Sequence, residues 1–584
     1  MRFPTLAAAL ALLAACGAAN APDPEAPAEE TSVEAWTKGA MVAAADPRAV
    51  EAGLEVLRQG GHAVDAAIAV HAVLGLVEPQ SSGLGGGAFM LVFERETGEI
   101  TVYDGRETAP AASGPDLFLD DSGEPLGFLA AWQSGLSIGV PGQVALYKTA
   151  HDAHGEAAWD GLFQRAIDLA ETGFVVSPRL AGLLASPRLQ GAVDLDDNPA
   201  TAAYFYPDGE PLAEGAVRDN PDYAETLRRI ADEGPSAFYS GEIAEAIVAA
   251  AAGEPRAGSL SMTDLAEYRV IVREPLCGAF RTYRICSAPP PSSGGVAQNA
   301  ILGLYDRLAP DAETAEIDLL LQAFVDAQRL GYADRDHYVA DADHVTVPAA
   351  ELIDPRYLDV RATERFAPDA RSFAGDPGAV LRGEPMVDMW GRDVTETAPG
   401  TTHISIVDQN GNAVSMTATV EAPFGASRWA AGFLLNNELT DFARSPTKNG
   451  KPLANAPAPG KRPRSSMSPT LVFDEAGDLF MVTGSPGGNS IIAYVAKTLV
   501  AVLDWGHSAQ EAADLPNVIA RGDRVGVEVD VDGGPQAAEA LRDLGYDVQE
   551  REGENSGLHV IVVREDGLEG GADTRREGVA RALN

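Results

Sequence analysis

The stretch TTHISIVDQNGNAVSMTATV at 401–420 constrains this chain more than any other. Apolar and polar residues alternate on both sides of Asn410-Gly411. An Asn-Gly pair between alternating runs is the strongest short hairpin signal, because a tight two-residue turn needs positive φ at both positions. The spacing predicts two paired strands, the first starting at position 401. Strand-turn-strand patterns also appear in AFMLVFERETGEITVYDGRE at 88–107 and SPTLVFDEAGDLFMVTGSPGG at 468–488.

Helical patterns flank these hairpins. One covers 47–60 and stops at Gly60-Gly61; a more apolar one covers 64–76 and ends at Glu78-Pro79. Helices are predicted through most of 159–252, broken at Ser177-Pro178 and Asn220-Pro221, and again at 317–332, 490–505 and 536–544. Residues 341–400 read as loop, 512–521 show no clear period, and there is no internal repeat. Hairpins flanked by helices imply an α+β fold, with two stacked sheets and helices outside. An apolar fraction of 45% over 584 residues suffices for a large core. The net charge of −43, from 86 acidic and 43 basic residues, excludes a nucleic-acid partner, which needs a basic footprint. It equally excludes docking on an anionic membrane through basic residues.

The N-terminus is a separate matter. Arg2 precedes an Ala/Leu run at 6–15 that is too short for a permanent span, so 1–15 reads as a signal peptide. Leu13-Ala14-Ala15-Cys16 resembles a lipoprotein cleavage box, which would make Cys16 a lipidated N-terminus. An ordinary cut near Ala19 or Ala21 is the alternative. Residues 16–36, rich in Pro and acids, read as a disordered tether. The expected location is the periplasm, with a membrane reached only through the lipid. Cys277 and Cys286 suit two arms of a hairpin, either bridged or as two small buried hydrophobes. No cysteine or histidine cluster suggests a metal.

Two familiar motifs fail on context. Gly83-Leu84-Gly85-Gly86-Gly87-Ala88 satisfies a dinucleotide pattern, but the predicted order is helix, loop, strand rather than strand, loop, helix. Gly135-Leu136-Ser137-Ile138-Gly139 satisfies a nucleophile-elbow pattern, but Pro141 follows where a helix should begin. Gly400-Thr401-Thr402-His403 reads on its own as the start of a Thr-rich strand. A threonine hydroxyl is a weak nucleophile until a base sits beside it, and a free α-amine on the same residue is such a base.

The chain resembles the γ-glutamyltranspeptidase family over nearly all of its length after the tether. The resemblance is carried by EPQSSGLGGGAF at 78–89, YDGRETAP at 103–110, GVPGQ at 139–143 and APPPSSGG at 288–295. It continues in ADRDHY at 333–338, TTHISIVDQNGNAVSMTATV at 401–420, LLNNELTDF at 434–442, KRPRSSMSPT at 461–470 and TGSPGG at 483–488. It implies the four-layer αββα sandwich of N-terminal-nucleophile hydrolases, formed by a large subunit of residues 37–400 and a small subunit of residues 401–584. Self-cleavage between Gly400 and Thr401 would produce this heterodimer. Thr401 matches the nucleophile, Thr419 a second threonine whose hydroxyl contacts it, and Gly487 and Gly488 the oxyanion hole. Arg106 matches the residue for the substrate α-carboxylate, with Ser465 and Ser466 at the same end. Asp441, helped by Glu438, matches the acid for the α-ammonium. The implied substrates are glutathione and other γ-glutamyl compounds, with water, amino acids or dipeptides as acceptors and no cofactor. Two departures stand out. Glu421 occupies a position where the family often has Asn, beside the substrate amino group. The segment 443–460 is short and carries no aromatic lid residue, which implies an open site.

Overall fold

The computed structural model describes residues 36–193, 195, 198–312 and 314–583. The signal peptide 1–15, Cys16 and the tether as far as residue 35 lie outside the described residues. Trp36, counted with the tether above, belongs to the folded body: its indole N–H donates to the Gly39 carbonyl at 2.8 Å and Arg95 lies over its ring.

Two antiparallel sheets form the centre, as the hairpins predict. The first runs Val579–Ala582, Met41–Ala44, Gly400–Val407, Ala413–Glu421, Gly87–Glu94, Glu99–Gly105, Ile271–Arg273. The second runs Gly567–Ala572, His559–Arg564, Leu479–Gly484, Thr470–Phe473, Tyr283–Ser287, Leu276–Phe280. Alternation sorts the first sheet's side chains. Ile404, Ile406, Val414, Met416, Met90 and Val92 face an outer helical layer that includes Pro47–Arg58 and Ala63–Val77. Phe89, Leu91, Phe93 and Val407 face the second sheet, where they share a core with Phe473, Met481 and the helices Gly294–Leu308, Ile317–Tyr338 and Ile491–Leu503. The order is therefore helix, sheet, sheet, helix.

Local chemistry accounts for most boundaries. Pro178 and Pro221 do not merely interrupt helices; each starts one, with Ser177 and Asn220 accepting a backbone N–H from inside the first turn. The helix predicted at 317–332 extends to Tyr338. Residues 341–400 are not all loop, since Pro355–Thr363 and Pro377–Arg382 are short proline-started helices. The stretch 512–521, without a clear period, takes in the end of the helix Ala509–Asp514, begun by a capping box between Ser508 and Glu511, and the strand Val518–Ile519. Cys277 and Cys286 face each other across the hairpin Leu276–Phe280/Tyr283–Ser287 and are joined by a disulfide, with Cα atoms 4.1 Å apart. Among the described residues no helix is long and apolar enough to cross a membrane, and no cluster of three or more ligands could hold a metal.

Candidate active site

The hairpin at 400–421 sets the site. In its register Thr419 lies opposite Thr401, Thr417 opposite His403 and Ser415 opposite Ser405. These side chains form a buried polar strip between the sheets. His403 Nδ1 meets Thr417 Oγ1 at 2.8 Å and its Nε2 meets Ser405 Oγ at 3.0 Å, while Ser405 donates to the His559 carbonyl at 3.0 Å. Burial lowers the pKa of both histidines, His559 to about 4, so this strip carries no imidazolium at neutral pH.

At the strip's upper end the chain passes unbroken from Gly400 into Thr401. Thr419 Oγ1 donates to the Gly400 carbonyl oxygen at 2.7 Å and accepts the Glu421 N–H at 2.7 Å. Thr419 thus holds the carbonyl of the Gly400–Thr401 peptide bond. A β-bulge between Thr419 and Glu421 places Glu421 opposite Gly400, and Glu421 adopts a left-handed φ of 76°. Bulges re-aim side chains, and strained φ at non-glycine residues gathers at functional sites. The bulge turns Glu421 into the pocket beside Thr401. The glycine run meets this strand from the other side: a Cβ on Gly86 would sit 1.9 Å from the Thr419 carbonyl oxygen, so only glycine lets the backbones approach this closely.

One small pocket brings together Thr401, Thr419, Arg106, Glu421, Glu438, Asp441, Ser465, Ser466 and Gly488. Gly487 lies one residue away, on the wall of a neighbouring cleft of about 540 Å³, at φ 136°. Arg106 is buried. It pairs with Glu438 and, at 2.6 Å, with Asp441; it also donates to the Pro463 and Arg464 carbonyls at 3.2 Å each. Burial works against its charge, but Glu438 and Asp441 more than offset that and hold its pKa above the ordinary value. Each acid keeps one oxygen with no partner, Oε2 of Glu438 and Oδ1 of Asp441. Burial pushes Glu438 up to about 8 and Asp441 upward too, against the pull of Arg106. Glu421 is raised further, first by burial and then by Asp441 and Glu438. The site therefore holds one cation and three crowded acids, of which Glu438 and Asp441 keep an open oxygen for a further donor.

The serines are held by residues that sequence reasoning did not single out. Arg335 donates to Ser466 Oγ at 2.5 Å, to Ser293 Oγ at 2.9 Å and to Asn489 Oδ1 at 3.0 Å, while pairing with Asp336 at 2.8 Å. Ser466 Oγ donates to Asn489 at 3.1 Å, and Ser465 Oγ accepts the Met467 N–H at 3.1 Å. The quoted motif ADRDHY contains Arg335, and a charged triplet inside an otherwise apolar helix was the available signal. Asn437 was equally missed; its side-chain amide donates to Glu421 at 2.5 Å.

No residue of the short segment 443–460 lines this pocket. Thr397 and Ala398 line the pocket instead, and the Ala398 N–H donates to Glu421 at 2.8 Å. The cavity left is about 20 Å³, room for about one water molecule. Residues 397 and 398, just before Gly400, thus narrow the pocket. Ser137, of the rejected elbow motif, is buried and donates to the Trp132 and Ser134 carbonyls.

Comparison with known proteins follows the same line. The profile of the family described as Gamma-glutamyltranspeptidase matches residues 49–583. The glutathione hydrolase proenzyme of Escherichia coli (strain K12) is 35% identical, over 98% of this chain and 97% of that protein. That of Bacillus subtilis (strain 168) is 34% identical, over 82% of this chain and 80% of that protein. The crystal structure of a cephalosporin acylase from Bacillus halodurans superposes with a TM-score of 0.80 at 25% identity, covering 97% of this chain and 99% of that one.

Proposed function

The chain belongs to the γ-glutamyltranspeptidase family, and on that premise we propose that it is a self-processing glutathione hydrolase and γ-glutamyltransferase. The observation that carries this reading is the Gly400 carbonyl held by Thr419 directly before Thr401, at the edge of a pocket built from Arg106, Glu438 and Asp441. In the first stage the Thr401 hydroxyl attacks the Gly400 carbonyl carbon. Its proton passes to the departing Thr401 nitrogen, and the peptide becomes an ester. Water cleaves that ester, leaving a large subunit ending at Gly400 and a small subunit beginning at Thr401.

In the second stage the freed α-amine takes the proton of the Thr401 hydroxyl, which attacks the γ-amide of the donor. The Gly487 and Gly488 N–H groups receive the developing oxyanion; one such donor contributes about 2.7–4 kcal/mol. The leaving amine departs protonated, cysteinylglycine in the case of glutathione. Water or the amine of an amino acid or dipeptide then takes the γ-glutamyl group from the ester. The donor's α-ammonium meets the open oxygens of Glu438 and Asp441, with Glu421 beside them. Its α-carboxylate takes over N–H groups of Arg106 and the Ser465 and Ser466 hydroxyls, because a guanidinium fork matches a carboxylate.

The N-terminal features complete the proposal: the enzyme is extracytoplasmic and anchored through a lipid on Cys16. Metabolic labelling with a fatty acid marks the wild type and not Cys16→Ser; equal labelling of both rejects the anchor. The similarity to a cephalosporin acylase supports a second reading, cleavage of glutaryl-type side chains. Such substrates lack the α-ammonium and leave the open oxygens of Glu438 and Asp441 unanswered. Denaturing electrophoresis for two chains, followed by paired γ-glutamyl and glutaryl anilide assays, tests the function. The proposal requires preference for the γ-glutamyl compound. The reverse preference selects the acylase, and no turnover of either leaves a silent processed lipoprotein.

A further inference from the structure

We propose that Arg576 keeps the α-amine of mature Thr401 neutral near neutral pH, so that the amine can act as base for its own hydroxyl. The inference rests on the reading of Thr401 as nucleophile, but it concerns a residue outside the pocket that the substrate enters.

Arg576 lies between the strands Gly567–Ala572 and Val579–Ala582, at the edge of the first sheet. It is buried, with 6% exposure. Its Nη1 donates to the Thr401 carbonyl oxygen at 2.9 Å and its Nη2 to the Asn555 carbonyl at 2.8 Å. Its Nε is buried without a partner. Gly557 leaves room for the side chain, since a Cβ there would meet Arg576 Cδ at 2.7 Å. Among the described residues no carboxylate forms an ion pair with Arg576. A buried cation is thus hydrogen-bonded to the nucleophile's own carbonyl.

In an extended residue the carbonyl oxygen and the nitrogen are roughly 3 Å apart. The guanidinium therefore lies within roughly 6 Å of the amine that cleavage frees, close enough for like charge to disfavour protonation. The other charges nearby do not cancel it. On the Arg576 side, Asp573 is paired with Arg575 at 3.0 Å. Burial raises the pKa of Glu78 and weakens it as a counter-ion. The Arg179 guanidinium answers Glu78 at 3.7 Å, and Glu577 accepts the Arg179 backbone N–H at 2.9 Å. Burial, with Arg179 adding, lowers Arg576 to about 9, which leaves it charged at pH 7. On the pocket side, Glu438 and Asp441 are paired with Arg106, and burial favours the neutral form of Glu421. Arg335 is paired with Asp336, and Arg464 with Asp393. His403 and His559 are neutral.

The test titrates the amine directly. Mature enzyme is treated with cyanate across a pH series, and carbamylation of Thr401 is read by mass spectrometry of the N-terminal peptide of the small subunit. The expected midpoint lies about one unit or more below the ~7.7–8.0 of a free α-amine. A midpoint at or above that range overturns the proposal. In Arg576→Gln the midpoint rises by about one unit, and the acidic limb of kcat/KM moves up with it. Arg576→Lys, which keeps a cation at the carbonyl, stays near the wild type. A purely structural role would lower activity without moving either titration, so a matured Arg576→Gln enzyme with an unmoved midpoint also overturns the proposal. The wild-type midpoint decides the matter where the neutral variant does not mature. If no small subunit beginning at Thr401 is found, it is the nucleophile reading that fails.

Discussion

Thr419→Val separates the chemistry of self-cleavage from the fold that surrounds it. The substitution keeps the size and branching of the side chain and removes one hydroxyl. That hydroxyl donates to the Gly400 carbonyl oxygen at 2.7 Å, the atom that gains negative charge when Thr401 attacks. Loss of one donor aimed at a developing oxyanion costs about 2.7–4 kcal/mol, which slows the step by about 10²–10³-fold. A second effect must be kept apart from this. The same hydroxyl accepts the buried Glu421 N–H, so valine leaves that group unsatisfied, at a cost of about 1–3 kcal/mol in stability. The assay is a time course of purified precursor converting to two chains on denaturing gels, with circular dichroism to show that each variant is folded. Thr419→Ser keeps both hydrogen bonds and matures close to the wild-type rate. A folded Thr419→Val protein that matures within about threefold of wild type refutes the assignment of Thr419 to the scissile carbonyl, because the expected loss is far larger.

Three further outcomes follow from the pocket. Arg106→Lys raises KM by about 10–100-fold, as one or more charge-assisted hydrogen bonds are lost, while self-cleavage continues; unchanged kinetics would remove Arg106 from the substrate carboxylate. Glu421→Gln lowers the ratio of specificity constants for γ-glutamyl over glutaryl anilides by about tenfold, equivalent to ~1.4 kcal/mol of discrimination, because a bound ammonium favours the charged form of an acid that burial otherwise keeps neutral; an unchanged ratio means that Glu421 does not answer the ammonium. The same ratio in the wild type rises between pH 6.5 and 8.5. Burial has pushed Glu438 up to about 8, so it gains the charge that holds an ammonium only as pH climbs through that value; a flat ratio contradicts this.

The sequence by itself determined what is local. The alternation in 401–420 and the turn at Asn410-Gly411 specify a hairpin, because strand period and turn geometry are properties of adjacent residues; the strands appear as Gly400–Val407 and Ala413–Glu421. The helix Ile317–Tyr338 was legible only as far as its apolar period ran. Its last turns carry Asp334, Arg335 and Asp336, whose partners Gly375, Ser466 and Arg521 lie elsewhere in the chain, and no periodicity reports such partners. The resemblance named Arg106, Glu438 and Asp441, but their mutual pairing joins positions more than three hundred residues apart and exists only after the sheets stack. The bulge that turns Glu421 into the pocket depends on strand pairing and not on composition. Arg576 shows the limit most plainly. In sequence it is one cation among several near the C-terminus. The strand that follows it pairs with Met41–Ala44, which pairs with Gly400–Val407, and that sheet order brings its guanidinium to Thr401. Contacts of this kind are decided by tertiary structure, because a buried charge takes its partners from whatever the fold places beside it.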